Sequence, residues 1–472
     1  MAGFERCPPE VVESITSYLD VMNAGNLRLT NRCLRSKATQ GHFKSFFRSK
    51  RVNITGLDLR NLGTLTQRGW LGCETLDLAL VGVVNNTKRL EAAVEANPDD
   101  PRKRGLEILQ ERQRDYQQLL DSGQIVHLIR EVFKNILANS PTGKLRSLSL
   151  EVVVYREDAK HELPPVSGGS WRLIWQTAAE TFQIVFSALQ ESKMEIGSLN
   201  IFNGPQLHRC SIAGNELSDM NYSAEGLSTS LGSLRWLSIS VSDRILDITP
   251  QNAQASGDSA DEIDWSDDED RDLDDVMDEA EDESNFTGLS GLIHACQNLK
   301  GLEVHQYLVN HRRLDPPIDV PHERLFQRVA ELESLPLLEE CSFRGVVLRE
   351  TDLLAFLKEV SISLRSLSME TVTMTSGTFE SIFGYVASDV SELESLYFDD
   401  LMIGRDLVHF TDVGEPRFHA WVGARGSNTL RRQGEEVKKP ILYHLPTGVP
   451  LPISSPERQR WLQDQRREYG PP

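Results

Sequence analysis

Apolar positions along the chain follow two different periods. A phrase of the form Leu-x-x-Leu-x-apolar recurs: Leu145, Leu148, Leu150; Leu234, Leu237, Ile239; Leu299, Leu302, Val304; Leu364, Leu367, Met369; and Leu393, Leu396, Phe398. Weaker versions are Ile196, Leu199, Ile201; Leu338, Cys341, Phe343; and Cys73, Leu76, Leu78. Alternation of this kind predicts a short strand with one buried face. Between the phrases the spacing changes to threes and fours. Ile125, Leu128, Ile129, Val132, Phe133, Ile136 and Leu137 predict one helix, and Ile174, Ala178, Phe182, Val185, Phe186 and Leu189 another. Shorter helices are predicted around Leu289, Leu292 and Ile293, around Leu325, Phe326, Val329 and Leu332, and around Phe379, Ile382, Phe383 and Val386. A helix before each strand is the grammar of stacked helix–strand units with a parallel sheet.

The spacing of these phrases leaves two α/β architectures open. The last intervals, 26 residues (338 to 364) and 29 (364 to 393), fall in the leucine-rich-repeat range. Earlier intervals of 51, 38 and 65 residues (145 to 196, 196 to 234, 234 to 299) are too long for a regular repeat. The Asn or Cys position with which regular repeats satisfy the turn backbone is missing. One reading is an irregular leucine-rich-repeat-like α/β solenoid over 51–413; the other is a doubly wound α/β domain without repeats. No glycine fingerprint for phosphate follows any strand phrase, which argues against a nucleotide enzyme.

Two stretches interrupt the array. Residues 99–121 are rich in Arg, Glu and Gln and predict a solvated helix outside it. Residues 251–285 carry an acidic run with too little apolar surface to offset ordering entropy, so disorder is expected there, with Ile263 and Trp265 embedded in it. From 414 to 472 the chain turns Arg-, Gly- and Pro-rich. Trp421, Tyr443 and Trp461 suggest that part of it packs back as a cap.

The net charge of −20 sits mostly in one place. Residues 258–283 hold sixteen Asp/Glu and one Arg, leaving 54 acids and 49 bases elsewhere, a balance of −5. Nucleic acid is therefore a poor default partner, since phosphate binding wants a clustered basic surface. No apolar run approaches membrane-spanning length, and the first residues lack a secretory apolar core. The six cysteines are scattered without a CxxC pair, so they read as small core residues in a reducing compartment, cytoplasmic or nuclear.

At the N-terminal end, Val11, Val12, Ile15, Tyr18 and Leu19 recur at helical offsets behind Pro8 and Pro9, which suit a first turn. Asn23 is a candidate N-cap for a second helix carrying Leu27 and Leu29. A third helix through Leu34 and Ala38 reaches Phe46 and Phe47. Three short helices within residues 1–50 bury little area, and leftover apolar surface usually docks against something. The run Cys-Pro-Pro-Glu-Val-Val-Glu-Ser-Ile-Thr-Ser-Tyr-Leu-Asp at 7–20 resembles the start of an F-box. Asn-Leu-Arg-Leu-Thr-Asn-Arg-Cys-Leu-Arg at 26–35 resembles its second half, and the continuation to His42-Phe43-Lys44-Ser45-Phe46-Phe47 is similar to F-box proteins of filamentous fungi. Two positions depart from the pattern: Cys7 stands where the family opens with Leu, and Ala24-Gly25 where a Leu commonly follows the inter-helix turn. The resemblance implies a docking site for the Skp-type adaptor of a cullin complex, formed by Pro8, Pro9, Val11, Val12, Ile15, Leu19 and Leu27.

A search for catalytic signatures yields fragments. Thr142-Gly143-Lys144-Leu145 fails the phosphate-loop pattern at two positions, and Ser167-Gly168-Gly169-Ser170 has no strand leading into it. His305 and His311 are six apart and do not share a helix face, while Asp399-Asp400 reads as a solvated strand-end turn. The expectation is a non-enzyme with no cofactor or metal. It would be an adaptor of an SCF-type E3 ubiquitin ligase in the ubiquitin-like conjugation pathway, acting by protein–protein interaction, with a target protein on the array. Alternatives are an interaction scaffold outside ubiquitination, or an acidic segment that holds basic proteins.

Overall fold

The structure, a computed structural model, describes residues 4–67, 71–97, 99–167, 171–246, 273–309, 318–388, 390–411, 413–415, 425–446, 452 and 454–469. The fold is mixed α/β, and its frame is one largely parallel sheet. The strands lie in the sheet in chain order: Ser49–Asn53, Asp77–Asn85, Leu145–Tyr155, Ile196–Ile201, Trp236–Ser242, Gly301–Tyr307, Glu340–Arg344, Ser366–Glu370, Ser395–Asp399 and Thr429–Gln433. A two-residue strand, Ile212–Ala213, also pairs with Trp236–Ser242. All pairings are parallel except the last, where Thr429–Gln433 runs antiparallel to Ser395–Asp399. The order never reverses, so the sheet lacks the switch point that defines a doubly wound domain.

The Leu-rich phrases set the register. Leu78, Leu148, Leu199, Leu237, Leu302, Cys341, Leu367 and Leu396 are consecutive partners across the sheet, and all are buried. Leu80, Leu150, Ile201, Ile239, Val304, Phe343, Met369 and Phe398 make the neighbouring row, closed by Leu430. One expected phrase is displaced. Leu78 rather than Leu76 sits beside Leu148, so the first unit reads Thr75, Leu78, Leu80, and Cys73 lies in the turn Gly72–Glu74. A two-residue slip keeps every side chain on its face, and for that reason periodicity alone could not exclude it.

Helices Gly56–Gln67, Gln124–Asn139, Trp171–Ser192, Glu225–Gly232, Ser284–Ala295, Glu323–Ala330, Glu350–Glu359 and Glu380–Val386 cover the face carrying those rows. Their approach is close: a Cβ on Gly226 would lie 1.9 Å from the Gln190 carbonyl oxygen, so only glycine fits where two helices meet. In the last three units the strand ends on a left-handed residue: Gly345 (φ 66), Thr371 (φ 52) and Asp400 (φ 48). For a β-branched residue such as Thr371 this costs of order 1–3 kcal/mol. The turn is held because the N–H of Gly345 donates to Glu370 O at 2.9 Å, and that of Thr371 to Asp399 O at 2.8 Å. Beyond the turn, Val347–Arg349, Thr373–Ser376 and Met402–Ile403 form a second parallel ladder, which Asp406–Leu407 extends in the antiparallel sense.

Several expectations change. The helix Lys103–Asp121 is not hung outside the array. Leu106 and Leu109 are buried against Val81, Leu90, Val153 and Tyr155, while Tyr116, Leu119 and Leu120 pack on the main core. The three-and-four spacing of these residues was diluted by the Arg and Gln between them. Residues 251–272 lie outside the described residues, but 273–285 are ordered: Leu273–Glu281 is a helix whose Val276 and Ala280 are buried with Leu246 and Ile318. Two inward apolar residues per helix are enough when the partner surface comes from elsewhere in the chain. The first strand starts at Ser49, so the boundary at residue 50 falls inside it. Cys73, Cys210, Cys296 and Cys341 are buried, whereas Cys33 is exposed and Cys7 half-buried; all six are free thiols. Burial pushes the Cys296 thiol up to about 12.

Leu237→Ala, in the middle of the buried row, is expected to cost about 2–5 kcal/mol. Leu29→Ala, on the outside of the N-terminal helices, is expected to change stability by less than about 0.5 kcal/mol. Urea unfolding of the two variants measures the difference.

Candidate functional site

The first candidate is the N-terminal helical module. Helix Pro9–Thr16 opens on Pro8, whose carbonyl accepts from the N–H groups of Val11 and Val12, and Pro9 occupies the first turn where a missing N–H is harmless. The second helix, Val21–Thr30, is capped by Asp20 rather than Asn23: the Asp20 carboxylate accepts from the Asn23 N–H at 2.7 Å. Asn31 caps the third, Arg32–Lys37, through the Leu34 N–H at 2.8 Å. A fourth short helix, Gly41–Ser45, leads into the sheet. There Phe43 is buried against Phe47, with the Arg28 guanidinium 3.9 Å above the Phe43 ring.

Val12, Leu34 and Ala38 form a small core of their own, backed by Phe4, Cys7 and Leu27 and separate from the core of the sheet. This core spends few apolar residues, and the remainder face outward. Val11, Ile15, Tyr18 (87% exposed), Val21, Met22 (72%) and Leu29 (85%) are six of fourteen large apolar side chains exposed among the described residues, within nineteen positions. That concentration sets this patch apart from singly scattered surface apolar residues. Met22, Gly25 and Leu29 fall on one helical stripe, and a Cβ on Gly25 would meet nothing within 4 Å.

Of the expected contact residues, Pro8, Pro9, Val11 and Ile15 are exposed and Leu19 and Leu27 half-buried. Val12 is fully buried and belongs to the module's core, so it is not a contact. Tyr18 and Leu19 lie past the end of the helix at Thr16, in the turn that follows it. Tyr18, Val21, Met22 and Leu29 were missed because spacing shows which residues share a face, not which face is covered.

The second candidate is the sheet face opposite the helices. Ser149, Asn200, Ser238, Glu303, Ser342, Ser368 and Tyr397 form one cross-strand row of it, and Glu151, Ser240, His305, Arg344, Glu370 and Asp399 belong to the next. The row is polar and internally bonded. Ser238 Oγ donates to Glu303 at 2.9 Å and accepts from Asn203 Nδ2 at 2.9 Å; Arg344 pairs with Glu370 at 3.3 Å; Thr429 Oγ1 donates to Asp399 at 2.6 Å. Asp400 is not a solvated turn residue: it is buried and accepts from Asn428 Nδ2. His305 is buried with its ring 4.2 Å from Tyr307, while His311, like Gly168, Gly169 and Ser170, lies outside the described residues. Among the described residues no group of three His, Cys, Asp or Glu could hold a metal, and no helix is long and apolar enough to cross a membrane.

A cavity of about 20 Å³, room for one water, lies between Asp243, Asn285 and His322 where the chain leaves for the acidic segment. Burial disfavours charge on His322, but the Asp243 carboxylate 3.0 Å away, with Glu323 and Asp319, more than offsets it and raises the pKa above 6.5. A raised folded pKa adds stability that is full below the unfolded value and lost as pH climbs through the folded one. Melting temperature is therefore expected to fall from pH 6 to pH 8 by more in the wild type than in Asp243→Asn, measured by calorimetry.

No protein-family model matches this chain, and no curated protein is significantly similar to it.

Proposed function

We propose that the chain is a substrate-recognition subunit of an SCF-type cullin-RING ubiquitin ligase, with the helical module docking a Skp-type adaptor. The succession of units from 49 to 433 is read as an irregular leucine-rich-repeat-like solenoid, whose polar sheet face takes the target. One observation carries this reading. The segment that resembles an F-box spends its own core on Val12, Leu34 and Ala38 and leaves Val11, Ile15, Tyr18, Met22 and Leu29 uncovered. A module serving only to cap the array would turn those residues toward it. The polar row on the far side of the sheet supports a second, independent surface, as an adaptor requires. The mechanism is proximity. A target held beside a ubiquitin-loaded enzyme meets it at an effective concentration of order millimolar, and no catalytic group of this chain is needed.

Purified Skp-type adaptor is expected to bind the wild-type chain. Pro9→Asp and Ile15→Asp place a charge where an apolar contact forms, and each should weaken binding at least about tenfold. Val12→Asp should instead unfold the module, seen as lost helicity. Adaptor binding indifferent to both Pro9→Asp and Ile15→Asp overturns the assignment and leaves an interaction scaffold outside ubiquitination.

A further inference from the structure

The polar sheet face is not open along its whole length. Helix Pro456–Tyr469 comes back from the far end of the chain and touches the strand Gly301–Tyr307. Its Trp461 is only 6% exposed, seated on Leu407 and Met402 in the unit that follows Ser395–Asp399, with Leu462 of its own helix alongside. A helix of 14 residues is about 21 Å long. Three strand-to-strand steps, from Gly301–Tyr307 to Ser395–Asp399, span about 14 Å. The helix is thus long enough to lie across the strands from one anchor to the other.

Two features distinguish this contact from ordinary core packing. The first is how little apolar surface holds it: Trp461 and Leu462 stand among Arg458, Arg460 and other polar residues. The second is the poor polar match in the part of the sheet it touches. On the strand beside it, Ser240 is buried opposite His305, and Ser240 Oγ finds no hydrogen-bond partner among the described residues. Native cores satisfy such groups. A buried hydroxyl left without a partner beside the helix marks a contact short of full polar complementarity.

We infer that helix Pro456–Tyr469 is a displaceable strap over the target face, which a target must compete away. This rests on the reading of that face as the target surface. The strap's chemistry also names the class of target. It is a helical protein segment with one large aromatic anchor and arginines, suited in charge to a face that carries Glu303, Glu370 and Asp399.

The test uses the strap as its own probe. A fluorescein-labelled peptide of residues 454–469 is titrated into the full chain and into a chain ending at residue 451, with anisotropy as readout. The shortened chain should bind it saturably and the full chain at least roughly tenfold more weakly, because the tethered helix competes at high effective concentration. The same peptide carrying Trp461→Ala should not bind. Equal binding by the two chains, or none by a shortened chain with unchanged circular dichroism, overturns the inference. Should the shortened chain fail to fold, Trp461→Ala in the full chain decides: diethyl pyrocarbonate labelling of His305 should rise several-fold, and unchanged labelling overturns the strap. The adaptor enters neither measurement, so failure of the ligase reading and failure of the strap are separately visible.

Discussion

Everything in this molecule depends on the rows of apolar side chains that run unbroken across the parallel strands. Leu78 through Leu396, and Leu80 through Leu430, are buried in register, so each unit is stabilised by the neighbour on either side rather than by itself. Register is enforced because a one-residue slip would turn a whole row toward water. The helices follow from this: an apolar sheet face about 4.8 Å wide per strand must be covered, and each connection supplies the covering element. Long connections, such as 86–144, add helices without disturbing the rows.

Covering one face leaves the other to carry chemistry. On that side Ser, Asn, Glu and Arg satisfy one another across strands, as in the Asn203–Ser238–Glu303 chain and the Arg344–Glu370 pair. Two helices lie against this side, Lys103–Asp121 over Val81 and Val153 and the C-terminal helix at Gly301–Tyr307. The N-terminal helices form a second body of structure with a separate small core, joined to the first strand through Phe43, Phe47 and the Lys44–Glu74 pair at 2.6 Å. A target surface and a docking surface on distinct parts of one chain are what the proposed adaptor role asks of the architecture.

The sequence by itself determined the elements whose signal is local. Strand phrases, the Gln124–Asn139 helix and the helical start at Pro9 could be read because apolar spacing of two or of three and four reports which residues share a face. It also determined where the acidic charge sits. Three things belonged to the tertiary structure. Register came from neighbouring strands, which moved the first phrase from Leu76 to Leu78. Order in Leu273–Glu281 came from Leu246 and Ile318, distant residues that supply the surface its two apolar side chains need. The inside and outside of the N-terminal module were decided by which face met Leu34 and Ala38, so Val12 turned in while Tyr18, Met22 and Leu29 turned out. Periodicity fixes relative orientation along one element; only the packing of elements against each other decides which side meets water.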